Sequence, residues 1–362
     1  MGEGSTTVND FHRPTDTDVV TALEAVIWQR DYVAATGAHV AAAILEAVRS
    51  DLQDEGPLAD IVPSNVRFGD LVGLRIMAAV HRLALVREAP AVAIHLPTLG
   101  GIPPAAGDRA AFHSAVVTAL ADHPDVLAAS LRQTPQTNEV GRSALLRCAL
   151  ARLPAGKEVR LREIGCSAGL NLRADHLPGV PDLEVGPLPA VRDRVGCDLD
   201  PVDPRTTEGR VHLTSYVWVD DVLRFERLRH ALDVAARVPA TLLQEDAASF
   251  VEGLELAEGT TTVLWHSAMW PYLADEQRLR ILAGLAGLGA RSTPATPLSH
   301  VSWEWTGAPT DPATSFELVI RMWDGGGENG EPFLLARGGG HGTNPALVEG
   351  APVRLSAEPL PA

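Results

Sequence analysis

An acid and two glycines stand at a spacing suited to ligand binding in Glu163-Ile164-Gly165-Cys166-Ser167-Ala168-Gly169. Alternating apolar positions at Val159, Leu161 and Ile164 run into this stretch, and Leu170 and Leu172 restart an apolar pattern beyond it, so it reads as strand, tight turn and helix start. Glycine takes positive φ and lets a ligand approach the backbone. A helix start offers unpaired N–H groups and the positive end of a dipole. Such a turn suits the polar end of a nucleotide-like ligand. A dinucleotide G-x-G-x-x-G would need a glycine where Ser167 stands. The same residues also fit G-x-S-x-G, the elbow of a serine hydrolase with Ser167 as nucleophile. That elbow normally follows several strands, whereas everything upstream of Val159 reads as helix and loop.

Other residues could join this turn. Asn138 and Arg142 lie four apart near the start of an expected helix that Thr137 would cap and that runs to Leu153. A helix leading through Pro154–Gly156 into the next strand lies antiparallel to it, so its start falls beside the glycine turn. An amide and a guanidinium there suit an amino acid's polar end. Later strands end at Asp198 (with Asp200 two residues on), at Asp246-Ala247, and at His266. His266 is a candidate general base at neutral pH, and Trp265, Trp270 and Tyr272 could pack against a cation. Each also has a structural reading: a capped helix, a turn-forming aspartate pair, a core histidine among core aromatics.

The segments QTNEVGRSA, EIGCSAGLNL and GCDLDPVD, with HRLALVREAP, QEDAASF, HSAMWPYL and HG (341–342), resemble a bacterial family known as domain of unknown function 2332, from about residue 20 to 350. This chain is shorter between Asn171 and Arg194 than that family's usual pattern, which alters the mouth of any site there. The pattern is similar to class I S-adenosylmethionine-dependent methyltransferases. That resemblance implies S-adenosylmethionine as cofactor, with Glu163 at its methionine end beside Gly165, Ser167, Gly169 and Asn171. Asp198 would take the ribose hydroxyls, Asp246 the adenine amine and the Ala247 N–H the ring. His266 would face the transferring carbon, Tyr272 would pack near the sulfonium, and Asn138 and Arg142 would hold the amino acid end of the cofactor or of an acceptor. The expected reaction is transfer to a small molecule. Alternatives are use of the aminocarboxypropyl arm with release of methylthioadenosine, and a non-catalytic module that binds the cofactor.

The elements that must position these residues follow from the pattern. The expected class is α/β: a polar tail over 1–18, a helical subdomain over 19–132 with no strand of its own, and a Rossmann-like domain over 133–355. Strands are expected at 159–164, 191–198, 239–246, 261–265 and 300–305, closed by an antiparallel hairpin of Phe316–Trp323 and Phe333–Arg337 turning at Asp324–Gly327. The loop Gly338–Gly342 is expected to close over the site. A formal charge of −16 over 362 residues, without a lysine-rich run, argues against a nonspecific nucleic-acid binder. Three scattered cysteines form neither a disulfide framework nor a zinc pattern. The apolar run Leu71–Val86 is broken by Arg75, His81 and Arg82, which makes it a core helix rather than a membrane span. A cytoplasmic protein acting on a small molecule, away from membranes, is the expectation; a homodimer is left open.

Overall fold

The computed structural model describes residues 15, 17–180, 183, 186–306, 315–326, 330–342, 345–348 and 353–354. In chain order it begins with β1 (Val19–Thr21), α1 (Ala22–Ala35), α2 (His39–Gln53), β2 (Asn65–Arg67), α3 (Val72–Leu85), α4 (Pro90–Ala93), α5 (Arg109–Asp122), α6 (Pro124–Arg132) and α7 (Ser143–Leu150). It continues with β3 (Glu158–Ile164), β4 (Val191–Asp198), α8 (Thr207–Ser215), α9 (Val222–Ala235), β5 (Thr241–Gln244), α10 (Ala247–Glu252), β6 (Thr260–Ser267) and α11 (Asp275–Arg291). The last elements are β7 (Leu298–Trp305), β8 (Phe316–Trp323), β9 (Pro332–Gly338), β10 (Ala346–Leu347) and β11 (Val353–Arg354). The chain divides into two units, one of residues 1–137 with 206–226, the other of 138–205 with 227–362. Most of the expected tail, Pro181 and Gly327 lie outside the described residues.

The first unit is helical around a core that includes Val26, Ile44, Leu45, Val48, Ile76, Leu83, Phe112 and Leu120. Thr21 and Glu24 close a reciprocal capping box at the start of α1. It does hold strands, contrary to expectation: β1 and β2 pair antiparallel with Val20 opposite Val66. The unit is completed by a segment distant in sequence. No side chain caps α2 locally, and Asp220 accepts from the Val40 and Ala41 N–H groups, each at 2.8 Å.

The second unit is α/β. Its sheet has nine strands in the order β10-β9-β8-β7-β6-β3-β4-β5, with β11 also on β9. Strands β5, β4, β3, β6 and β7 are parallel neighbours, while β8 and β9 follow as an antiparallel meander. Apolar side chains alternate between two cores. Val159, Leu161, Val263, Trp265 and Trp303 meet α7 on one face. Ile164, Cys197 and Leu264 meet α10 and α11 on the other. Strand β6 is buried on both faces, as parallel strands between layers are. The strand order reverses between β3 and β6, since β4 and β5 lie on one side of β3 and β6 and β7 on the other. Ligands of such sheets sit at the carboxyl ends of the strands, at that reversal.

Two expected helix starts are replaced. Thr137 does not cap α7. Glu139 caps a 3-10 turn, Val140–Arg142, through the Gly141 N–H at 3.0 Å, and α7 begins after it and ends at Leu150. Beyond the glycines no α-helix forms: Asn171–His176 is a 3-10 turn. Among the described residues no helix is long and apolar enough to cross a membrane.

Candidate functional site

The glycine turn follows β3, and three of its residues have positive φ: Gly165 (+66°), Ser167 (+51°) and Gly169 (+63°). Close packing reinforces the need for glycine. A Cβ at Gly169 would stand 2.6 Å from Leu242, and one at Gly165 would stand 3.1 Å from Met269. Ser167 is a non-glycine residue in this region, which is uncommon. Its N–H donates to Asp198 Oδ2 at 2.7 Å, and the Asp200 N–H donates to Oδ1 at 3.1 Å. Asp198 therefore ties the end of β4 to the turn.

Asn138 braces the turn from the other side. It is nearly buried, with φ +30°. Its Nδ2 donates to the Cys166 carbonyl at 3.2 Å and its Oδ1 accepts from the Leu170 N–H at 3.1 Å. Arg173 supplies a third brace, donating from Nη1 to the carbonyls of Ala168 (3.3 Å) and Gly169 (2.7 Å). Arg142 reaches elsewhere. Its Nε donates to Gly340 O at 2.9 Å and its Nη1 to Ser267 O at 3.3 Å, joining the 338–342 loop to the end of β6. A Cβ on Gly141 would meet the His341 carbonyl at 2.5 Å, so this loop lies directly on the helix start.

Glu163 is the penultimate residue of β3, in register with Trp265. It is 2 % exposed, and its Oε2 has no hydrogen-bond partner. Burial pushes the carboxyl well above its usual range, with the charge of Arg173 opposing the shift. Asn171, at the far end of the turn, is equally buried and leaves its Oδ1 without a partner. The Trp265 indole N–H, also without a partner, is the donor within the chain that bears on Glu163, and both acceptors remain open to a donor from a ligand.

At the end of β5, Asp246 caps α10, accepting through Oδ1 from the Ala248 and Ser249 N–H groups at 3.1 and 3.0 Å. Bonds from Ser249, with help from Arg280, hold its pKa below the usual value. Ala247 opens that helix and is buried.

His266 is fully buried and stacks on both Trp270 and His300. Its Nδ1 lies 2.7 Å from Glu304 Oε1 and its Nε2 lies 2.9 Å from His300 Nε2. Glu304 also accepts from the Met269 and Trp270 N–H groups at 3.2 and 3.3 Å. The tautomer that donates from Nδ1 to the carboxylate leaves Nε2 to accept from His300. Burial, then the charges of His266 and Arg321, holds His300 well below the usual imidazole value. Both nitrogens of His266 are thus engaged within the protein, and the network fixes the loop after β6. Tyr272, on that loop, is 70 % exposed.

The structure therefore gathers Asn138, Gly165, Ser167, Gly169, Asn171 and Asp198 around one turn, with Glu163 at its root. Asp246 and Ala247 stand two strands over, and His266 stands on the opposite face of β6 from Trp265. Sequence reasoning passed over Glu304, His300 and Arg173. For Glu304 one signal existed: an acid between Trp303 and Trp305 at the end of an otherwise apolar strand. Among the described residues no cluster of three His, Cys, Asp or Glu could hold a metal ion.

A bacterial family model described as an uncharacterized protein conserved in bacteria, domain of unknown function 2332, matches residues 23–346. No curated protein matches the chain.

Proposed function

The chain belongs to the domain of unknown function 2332 family, and since that membership assigns no reaction, we propose from the site itself that the protein binds S-adenosylmethionine and transfers its methyl group to a small molecule. One observation carries the reading: the unpaired Oε2 of Glu163, buried at the root of a positive-φ glycine turn where the strand order reverses. An ammonium group is the donor that such an acceptor lacks, and the α-amino group of the cofactor has that chemistry. Further support lies in the acids at the next two strand ends. Each oxygen of Asp198 accepts one backbone N–H and retains a lone pair for a ribose hydroxyl. Asp246 and Ala247 stand where the third strand ends.

When bound, the sulfonium supplies a methyl group already activated toward a nucleophile. The chain's own work is then to bind, orient and exclude water. Asn138 and Arg173 hold the turn's carbonyls away from the ligand, and Glu163 anchors the amino group. His266 offers no free nitrogen to a substrate, so its part is to hold the 268–270 backbone through Glu304. With Asn138 and Arg142 engaged on backbone carbonyls, the cofactor's amino acid end falls to Glu163.

Calorimetry tests this. Binding a cation favours the ionised form of a carboxyl whose pKa burial has raised. Affinity should therefore rise with pH as Glu163 ionises, with proton release on binding below that point. Glu163→Gln should weaken S-adenosylmethionine and S-adenosylhomocysteine by at least about tenfold, or roughly 1.4 kcal/mol. The steeper part of the pH dependence should vanish with it. Absence of binding by either ligand, or equal affinity in the Gln variant, would sink the reading. Formation of S-adenosylhomocysteine with a suitable acceptor separates a transferase from a module that only binds.

A further inference from the structure

Arg173 carries more charge than its surroundings answer. The residue is 3 % exposed. Its Nη1 and Nε donors go to the carbonyls of Ala168, Gly169 and Val238. Carbonyl oxygens satisfy donors without neutralising a cation. Among the described residues Nη2 donates to nothing, and no carboxylate lies within ion-pair distance. The carboxyl that bears on it most is that of Glu163, and burial drives that group toward its neutral form. A buried cation with no ionised partner is costly, and such sites attract an anion.

Arg173 also lines a cleft of about 240 Å³ beside β5 and the segment after β4. Pro201, Pro204, Ala240 and Leu242 give it apolar walls, and Arg205 and Asp203 stand at its rim. Those two cancel each other: Arg205 donates from Nε to Oδ1 at 3.0 Å and from Nη2 to Oδ2 at 2.9 Å of Asp203. One positive charge, that of Arg173, is left facing the cleft. The volume falls just below the range of drug-sized ligand pockets, which suits a small ligand. A doubly charged phosphate would meet one cation and a nearby aspartate.

We propose that this cleft binds a small monocarboxylic acid, its carboxylate on Nη2 of Arg173 and its apolar part against Ala240 and Leu242. The cleft shares Arg173 with the glycine turn but takes a different ligand, and the proposal does not depend on the cofactor reading.

The probes are benzoate, butyrate and hexanoate, titrated into the full chain by calorimetry and followed by saturation-transfer NMR. At least one should bind saturably, tighter than about 10 mM, which is a weak but measurable affinity. Benzamide, neutral and of the same shape, should not compete, and inorganic phosphate should not displace the acid. Ala240→Phe fills the cleft without touching the Arg173 hydrogen bonds and should weaken binding by at least about tenfold. Arg173→Lys keeps the charge but loses the fork, and should also weaken it; thermal melts confirm that each variant is folded. Failure of all three acids to bind overturns the proposal, as does unchanged affinity in folded Ala240→Phe. Displacement by phosphate at equal concentration would make this a general anion site and also sinks the monocarboxylate assignment. S-adenosylmethionine titrated into Ala240→Phe, which leaves the Arg173 bonds to the glycine turn in place, reads the other site separately.

Discussion

At the scale of single residues, the partly buried carboxylate of Glu304 decides more than its neighbours in sequence suggest. It gathers three donors: His266 Nδ1–H and the backbone N–H groups of Met269 and Trp270. Truncating it leaves a buried imidazole and two amides without an acceptor. Each stranded buried group costs about 1–3 kcal/mol, and relaxation of an exposed loop recovers part of it. Glu304→Ala should therefore lower unfolding stability on the order of 3 kcal/mol in urea titrations. Glu304→Gln should lose less, because one oxygen still accepts. A change under about 0.5 kcal/mol in the Ala variant, the range of ordinary surface substitutions, would show that the carboxylate does not hold this network. The network was illegible in the sequence for a definite reason. His266 and Glu304 stand 38 positions apart, and only the parallel register of β6 on β7, with His266 opposite Ser302, makes them neighbours. The glycine turn, by contrast, is local: its alternation and its glycines lie within eleven consecutive positions of one strand and turn, from 159 to 169.

At the scale of elements, the same contrast separates what could be read from what could not. Strands β4, β6, β7, β8 and β9 fall within a few residues of their expected positions because apolar alternation and bracketing glycines mark them directly. The 3-10 turn at Asn171–His176 reads in the sequence as a helix start, since Leu170 and Leu172 supply the apolar pattern of either form. Near Asn138 the sequence points to Thr137 as the cap because it has the right side chain, while Glu139 makes the bond. Helix α2 shows how remote a cap can be. Asp220 accepts two N–H groups of its first turn from about 180 positions away, placing a carboxylate on the positive end of the helix dipole. Loss of a good cap costs about 0.5–2 kcal/mol, and a carboxylate that accepts two N–H groups in a partly buried setting favours the upper part of that range. Asp220→Ala should lower stability by about 2 kcal/mol, read from urea midpoints, with Asp220→Asn intermediate because it keeps one acceptor oxygen. Equal midpoints for the Ala variant and the wild type would mean that water caps α2 as well as Asp220 does.

At the scale of the whole molecule, stability should depend on pH through groups that folding holds neutral. His81 in α3 is fully buried. Its Nδ1 lies 3.1 Å from the Val217 carbonyl and its Nε2 lies 3.2 Å from the Thr98 hydroxyl, which suits a neutral ring that donates to one and accepts from the other. Burial pulls its pKa from 6.5 to about 4. The unfolded chain binds a proton near pH 6.5 that the folded chain refuses until about pH 4. Unfolding thus takes up a proton within that window, and stability falls as the pH drops through it. The span of about 2.5 units corresponds to roughly 3 kcal/mol as an upper figure. His300 acts in the same direction, its pKa also lowered by burial. Glu163 acts in the opposite one: its raised pKa makes the folded state weaker as pH climbs above the ordinary carboxyl range. Subtraction of one group isolates its share. His81→Gln has no titrating ring, so its stability, measured by urea unfolding at intervals from pH 7 to 4, should fall less steeply than that of the wild type. The gap between the two proteins should be widest at pH 7 and close toward pH 4, because the wild-type advantage is a neutral, hydrogen-bonded imidazole. Parallel curves across this range would mean that His81 titrates alike in both states, and that the acid sensitivity belongs to other groups.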